Sequence, residues 1–312
     1  MHSDPLSIQK EPPLEGNHKM AYIFKFFDPD WCRLPWTSWQ PFSGPLALPS
    51  TPGLYRIRAV GVEELFYVGE TGRNLRERVS DLRRNTLQAE MPFNDPHTAA
   101  PSLWAWRDAE NLEFECSVTS ITSIDGREEA RRQREGQEFF LLWQYRLEFG
   151  SSTRCNHGRF HPRYARSTDR KKGKRGYRLS DNSGDNRSGG ISLSPLQPLA
   201  CSQEKNWMGL QWSTPNQLAS ITRQGILAIL GVYKIFDPET GELLYVGETK
   251  NLKTRLAAHA RKNWQCQKPL YSFVELPEDT PTYQRREVEN DLLGGFYAQS
   301  QNMPKFQLIN HY

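Results

Sequence analysis

The feature that most limits how this chain folds is that it repeats itself. The segment from Gly53 to Thr71, GLYRIRAVGVEELFYVGET, returns about 180 residues later, from Gly231 to Thr249, as GVYKIFDPETGELLYVGET. Self-similarity of this length indicates one structural unit used twice. It extends upstream, where Trp31, Leu34 and Trp36 (WCRLPW) and Trp207, Leu210 and Trp212 (WMGLQW) give WxxLxW twice, 176 positions apart. Downstream, NLRERVSDL at Asn74 matches NLKTRLAAH at Asn251, 177 positions on. Gln133, Arg134, Glu138, Leu141 and Leu142 match Gln284, Arg285, Glu289, Leu292 and Leu293 at a separation of 151. The falling separation assigns about 26 extra residues to the first copy, in QAEMPFNDPHTAAPSLWAWRDAEN. The expected organisation is a first domain over 30–157, a basic and Gly/Ser-rich linker over 158–205, and a second domain over 206–312.

The 312 residues suffice for two domains, each with its own core. No apolar run approaches the roughly 18 residues of a membrane span, so no membrane partner is expected. Residues 1–29 begin polar and Pro-containing and read as a disordered leader. Five scattered cysteines without a CxxC argue against a disulfide framework or a zinc cluster and favour a reducing, cytoplasmic location. Net charge is only +4, but ten Lys/Arg against the single Asp169 lie between Arg154 and Arg178, leaving −5 for the rest. A block this basic suits a polyanion. Its candidate contacts are Arg163, Arg166, Arg170, Lys171, Lys172, Lys174, Arg175 and Arg178, and its Gly/Ser-rich tail, SDNSGDNRSGG, reads as flexible.

Within the second copy, GVYKIF and LLYVG flank DPETGE, a strand–turn–strand hairpin. Thr249 or Asn251 then caps a helix whose apolar stripe is Leu252, Leu256 and Ala260. LYSFVEL reads as a third strand, as LEFECSV does in the first copy. A final helix starts near Pro281 with Val288, Leu292 and Phe296 on one face. The order β-β-α-β-α makes each copy an α+β unit, a three-stranded antiparallel sheet flanked by helices.

Several polar residues are poorly explained as core. Arg255 and His259 are helical neighbours, Tyr233 and Tyr245 lie on adjacent strands, and Glu289 borders an apolar stripe. A guanidinium binds phosphate oxygens, a carboxylate holds a hard metal ion, and a phenol or imidazole takes a proton from water. Together these are parts for phosphodiester chemistry. Singly, each has an ordinary explanation: strand tyrosines usually pack a sheet, and helix Arg, His and Glu usually face solvent.

GVY followed by YVG, then Arg255, His259 and Glu289, resembles the GIY-YIG nuclease superfamily over about 100 residues; GLY…YVG in the first copy resembles it too. The resemblance implies cleavage of nucleic-acid backbones with one divalent metal, Mg²⁺ or Mn²⁺. Tyr233 or Tyr245 would then position or deprotonate the attacking water, His259 would assist, Arg255 would stabilise the phosphate, and Glu289 would bind metal, with Glu287 as a rival ligand. Asn302 is the match for the asparagine that the family often places after the glutamate helix. The first copy keeps Tyr55, Tyr67, Arg78 and the metal candidate Glu138, with Glu135 as rival, but has Leu82 at the histidine position. Asn156 stands where an asparagine is sought there, 18 residues after Glu138 rather than 13.

The function expected is a divalent-metal-dependent DNA endonuclease, of restriction or defence type, with two sites in one chain acting on double-stranded DNA. The alternative is a nucleic-acid-binding protein with one nicking domain and one inactive clamp or dimerisation domain. A homo-oligomer is compatible with either reading.

Overall fold

Each repeated hairpin draws its third strand from beyond the following helix onto the free edge of its first strand, whose buried backbone needs a partner there. The structure, a computed structural model, describes residues 25–95, 98–121, 126–221 and 228–308. In chain order the strands and α-helices are β1 (Gln40–Pro41), β2 (Gly53–Ala59), β3 (Leu65–Thr71), α1 (Leu75–Thr86), α2 (Ala100–Glu110), β4 (Phe114–Ser120) and α3 (Arg127–Phe149). Then come β5 (Tyr164–Ala165), β6 (Tyr177–Arg178), β7 (Asn216–Gln217), β8 (Gly231–Phe236), β9 (Leu243–Thr249), α4 (Leu252–His259), β10 (Leu270–Glu275) and α5 (Thr282–Ser300). The two larger sheets have matching orders, β1-β4-β2-β3 and β7-β10-β8-β9. Their hairpin registers match as well, Gly53 opposite Thr71 and Gly231 opposite Thr249, with irregularities after Ile57 and Ile235. Each sheet has four strands rather than the three expected. The two-residue strands β1 and β7, which follow the WxxLxW segments, pair with the outer edges of β4 and β10. Asn74 and Asn251 cap α1 and α4, accepting from the backbone N–H groups of Glu77 and Thr254.

The WxxLxW segments are core. The Trp36 indole donates to the Trp31 carbonyl and that of Trp212 to the Trp207 carbonyl, both at 3.0 Å. Each pair covers a buried cation placed one residue after the first tyrosine of its hairpin. Arg56 lies 4.4 Å from the Trp36 ring centre and Lys234 4.5 Å from that of Trp212. Arg56 donates to the carbonyls of Phe26 and Asp28, and Lys234 to those of Ser202 and Glu204. Burial pushes Arg56 down to about 9 and Lys234 down to about 8. The carbonyls and ring faces offset that cost. Phe26 is fully buried, so residues 25–29 belong to the fold rather than to a disordered leader; the rest of that expectation, 1–24, lies outside the described residues.

The extra residues of the N-terminal half form α2, and the basic segment docks on it. Met91, Trp104, Ala105, Phe160 and Tyr164 share one apolar cluster, and the Tyr164 hydroxyl donates to Asp108 at 2.6 Å. His161 is buried 4.4 Å from the Trp106 ring, its Nδ1 accepting from the Arg163 N–H. Burial, aided by the charges of Arg178 and Arg154, lowers His161 to about 4. The unfolded chain therefore takes up this proton first as pH falls. The stability tied to neutral His161 is present above about pH 6.5 and lost on acidification towards pH 4, up to about 3 kcal/mol. Replacing His161 with Gln is expected to flatten the fall in thermal melting temperature across that window; an unchanged slope contradicts this assignment.

The expected flexible linker is packed over much of its length. Trp143 donates to the Leu196 carbonyl, and Leu193 and Leu196 pack on the cluster formed by Trp143, Val288 and Leu292. The strap covers the seam where α3 meets α5. These helices are antiparallel: Gly136 lies against Tyr297, while Arg146, further along α3, pairs with Asp291, earlier on α5. A Cβ at Gly294 would sit 2.6 Å from the Phe139 carbonyl, so glycine sets how closely the helices approach. At the seam Arg146 grips Asp291 through two nitrogens at 2.8 and 3.1 Å. Glu287 accepts from Arg159, Ser192 Oγ and the Leu193 N–H. No helix among the described residues is long and apolar enough to cross a membrane.

Candidate functional site

Alternation along the strands puts both tyrosines of a hairpin on one face. Tyr233 stands opposite Gly247 and Tyr245 opposite Ile235, so the phenols are diagonal neighbours. Their rings stack with centres 6.0 Å apart. Gly247 is required by this overlap: a Cβ there would lie 2.5 Å from the Tyr233 hydroxyl. Helix α4 crosses the same face and supplies Arg255 and His259, four positions apart. Arg255 Nε donates to the Tyr233 hydroxyl at 3.0 Å and its Nη2 to the Tyr245 hydroxyl at 3.3 Å. The Tyr233 hydroxyl shares a proton with His259 Nε2 at 2.8 Å.

The cluster is graded in depth. Arg255 is exposed, Tyr245 half-buried, and Tyr233 and His259 buried. Trp264 covers the inner end, its indole donating to the His259 carbonyl and its ring 5.4 Å from the imidazole. Burial raises both phenols, and the negative charge of Glu289 adds to that for each, against the opposing charge of Arg255. Both are therefore neutral in the resting protein.

Glu289, half-buried on α5, is pushed up to about 7 by burial and by Glu248. A backbone N–H of Glu248 and the charges of Arg286 and Arg255 offset only part of this. Glu248 itself is held by Arg285 at 2.7 Å. No group of three or more His, Cys, Asp or Glu able to hold a metal exists among the described residues. The donor set is thus one desolvated carboxylate, which fits a hard cation that keeps most of its waters. A nearby divalent charge would favour the ionised carboxylate that burial disfavours.

Glu287 does not belong to this set. It is fully buried in the α3–α5 seam and committed to Arg159, Ser192 and Leu193, because two positions along a helix turn a side chain to the opposite face. Asn302 is also outside the cluster. It is exposed at the end of α5, accepting from the Met303 N–H. The amide that reaches the hairpin is Gln307, which accepts from the Val246 N–H at 3.0 Å and donates to the Val246 carbonyl at 3.1 Å. Asn156 does the same to Val68, at 3.0 and 2.8 Å. Both amides stand 18 positions after their glutamates, a regularity that the chosen spacing of 13 missed. Arg285 with Glu248, and Arg134 with Glu70, are likewise repeated residues, and each pair is an ion pair beside its hairpin.

The N-terminal half repeats the arrangement with one substitution. Tyr55 and Tyr67 have ring centres 5.9 Å apart, and Arg78 Nε donates to the Tyr55 hydroxyl at 3.4 Å. Leu82 is buried at the position corresponding to His259. Glu138 is pushed up to about 8 by burial, Glu70 and Glu135. Glu135 is held by Arg131 at 3.1 Å and lines a cleft of about 800 Å³ with Glu70, Arg78 and Arg134.

The basic candidates divide into two groups. Arg163 closes its own loop onto Ser180, Asp181 and Asp185, and Arg175 donates to the Met91 carbonyl beside Glu90. Arg166 donates to the Gly158 carbonyl through one nitrogen and is otherwise exposed. Arg170, Lys171, Lys172, Lys174 and Arg178 are exposed on and beside the β5–β6 turn, Arg170 4.0 Å from Asp95 and Lys172 3.7 Å from Asp169.

Residues 229–281 match the family model of the GIY-YIG catalytic domain, a span running from just before β8 to the start of α5. The match indicates an endonuclease and hence a nucleic-acid substrate. Members of this family generally depend on a divalent metal. No curated protein and no solved structure matches the chain significantly.

Proposed function

We propose that the chain is a Mg²⁺-dependent DNA endonuclease with a GIY-YIG-like site in each half, the domains spanning 30–157 and 206–312. The observation that carries this is the chain of contacts from exposed Arg255 through Tyr245 and Tyr233 to buried His259, with Glu289 beside it. The matching strand order, register and Arg–Glu pairing of the two halves support a second copy.

The depth gradient orders the chemistry. The half-buried Tyr245 is the phenol best placed to orient the attacking water. Because both phenols are neutral, the proton leaves through the hydroxyl of Tyr233 to Nε2 of His259 rather than resting on a phenolate. Arg255 presents its guanidinium to the phosphate, where negative charge grows in the transition state. Glu289 would hold the metal, which when bound supplies positive charge at the reacting phosphate. In the N-terminal half the same route ends at Tyr55, since Leu82 cannot accept a proton. That observation favours a second reading for this half, a binding clamp beside one nicking site.

Supercoiled plasmid in Mg²⁺ and in EDTA distinguishes these. Two cutting sites predict linear product from wild type and nicked circles alone from Glu289→Gln or Glu138→Gln. A clamp predicts that Glu138→Gln changes nothing. Absence of cleavage on DNA and RNA of varied sequence overturns the enzyme.

A further inference from the structure

Between the two halves lies a polar pocket of about 360 Å³ that takes Tyr67 from the N-terminal cluster and is otherwise built from residues outside both clusters. Tyr67 of the N-terminal hairpin lines one side and Arg286 of α5 another, with His157, Arg159 and Arg166 between them. No Asp or Glu is among the described residues lining it. Three guanidinium groups around one cavity need compensation, and only one has it from a carboxylate. Arg159 is neutralised from behind by Glu287 at 3.1 Å. Arg166 is tied only to main-chain carbonyls and to the Phe160 ring, while Arg286 has no hydrogen-bond or ion-pair partner among the described residues. The two arms repel: desolvation of the guanidinium by the groups packed along it and the charge of Arg286 lower Arg166 below its ordinary value.

His157 adds a second sign of a missing ligand. Its backbone is in the left-handed region, φ 56°, which is uncommon for a non-glycine residue. Its Nε2 is buried without a hydrogen-bond partner, although a polar atom in that state is costly. Burial and the charges of Arg146, Arg159 and Arg286 keep the ring neutral, so it is free to donate to an oxyanion. Asn156, the residue before it, clamps the strand that carries Tyr67. The pocket is thereby fixed relative to the N-terminal tyrosine pair.

Resting on the nuclease reading, we infer that this pocket holds an internal phosphodiester of the bound strand next to the Tyr55–Tyr67 pair, with Arg286 contributed across the seam by the other half. Paired guanidinium groups with a neutral donor and no carboxylate recognise phosphate in preference to a cation or an apolar group. The C-terminal half thus completes the binding surface of the N-terminal one. The strand passes from there towards Glu289, three residues after Arg286 on α5.

The full chain is tested in EDTA with two unrelated fluorescent duplexes, following affinity against salt. Arg286→Gln and Arg166→Gln are each expected to reduce the slope of log K against log salt, equally on both duplexes, and the double variant by about 0.9 in all, the share of the one phosphate they hold. Both side chains are exposed, and unchanged melting temperatures will confirm that the variants are folded. Slopes matching wild type overturn the pocket. Equal affinity for duplexes with and without 5′-phosphates supports an internal phosphate; a loss seen only with 5′-phosphorylated ends overturns it in favour of a terminal one. Wild type that cuts plasmid while its variants keep their slopes removes the pocket and spares the enzyme. Wild type that neither binds nor cuts removes both.

Discussion

Replacing Arg255 with Ala in a Glu138→Gln background is expected to lower nicking by about 10²–10³-fold while leaving the fold intact. The background matters, since an active N-terminal half would mask the loss. Arg255 is exposed and contacts only the two phenols among its hydrogen-bond partners, so its removal vacates little core. On the proposed mechanism its loss removes a preorganised positive charge from the reacting phosphate, and single donors of that kind are worth this much. Lysine is expected to recover only part of the rate, because a point charge cannot reproduce the guanidinium fork that spans Tyr233 and Tyr245. His259→Leu, which copies the N-terminal half, is expected to cost about 10²–10⁴-fold through loss of the proton acceptor. Single-turnover rates at saturating DNA measure each variant. An Arg255→Ala enzyme within threefold of its parent, roughly 0.7 kcal/mol, would contradict the role assigned.

Arg146→Ala is expected to destabilise the chain by about 3–5 kcal/mol, the cost of leaving buried Asp291 and part of the Glu287 network without their cation. Burial already pushes Asp291 up to about 6 despite the pairing with Arg146, so little further loss is tolerated. The paired replacement Arg146→Met with Asp291→Leu is expected to recover most of that stability, because apolar groups of similar volume remove both desolvation costs. Urea titration reads both. If the seam joins the halves as one cooperative unit, the single variant shifts one transition; two resolved transitions in wild type would contradict that. An Arg146→Ala cost below about 1 kcal/mol would show that the network carries little of the stability.

The site was legible where its residues sit in local patterns. The hairpin tyrosines follow from the two β-rich runs that flank DPETGE, and Arg255 and His259 from helical spacing. Glu289 was narrowed to two candidates, since Glu287 and Glu289 share one short stretch and only packing tells which faces the sheet and which faces the seam. Asn156, 18 residues after Glu138, was legible as an amide candidate, and the same spacing from Glu289 points to Gln307 rather than Asn302; that both return to the hairpins, at Val68 and Val246, is set by packing. The segment 158–205 reads as linker from composition, yet Arg159, Ser192 and Leu193 converge on Glu287 from 128, 95 and 94 positions away. Charge density marked Arg163 and Arg175 as nucleic-acid contacts; only the tertiary structure shows that each is already engaged at the surface, Arg163 by Asp181 and Asp185 and Arg175 by Glu90.

By itself, the sequence determined that the hairpin stretch and its flanking motifs recur, which strand and helix follows which, and that the recurring stretches differ at His259 and Leu82. These are matters of order and period, which short segments carry. The tertiary structure decided which carboxylate is desolvated beside the phenols, which amide locks the hairpin, how α3 and α5 hold the halves together, and that Arg286 opens onto the pocket beside Tyr67. Those depend on side chains far apart in the chain meeting at fixed distances, and no local pattern encodes such distances.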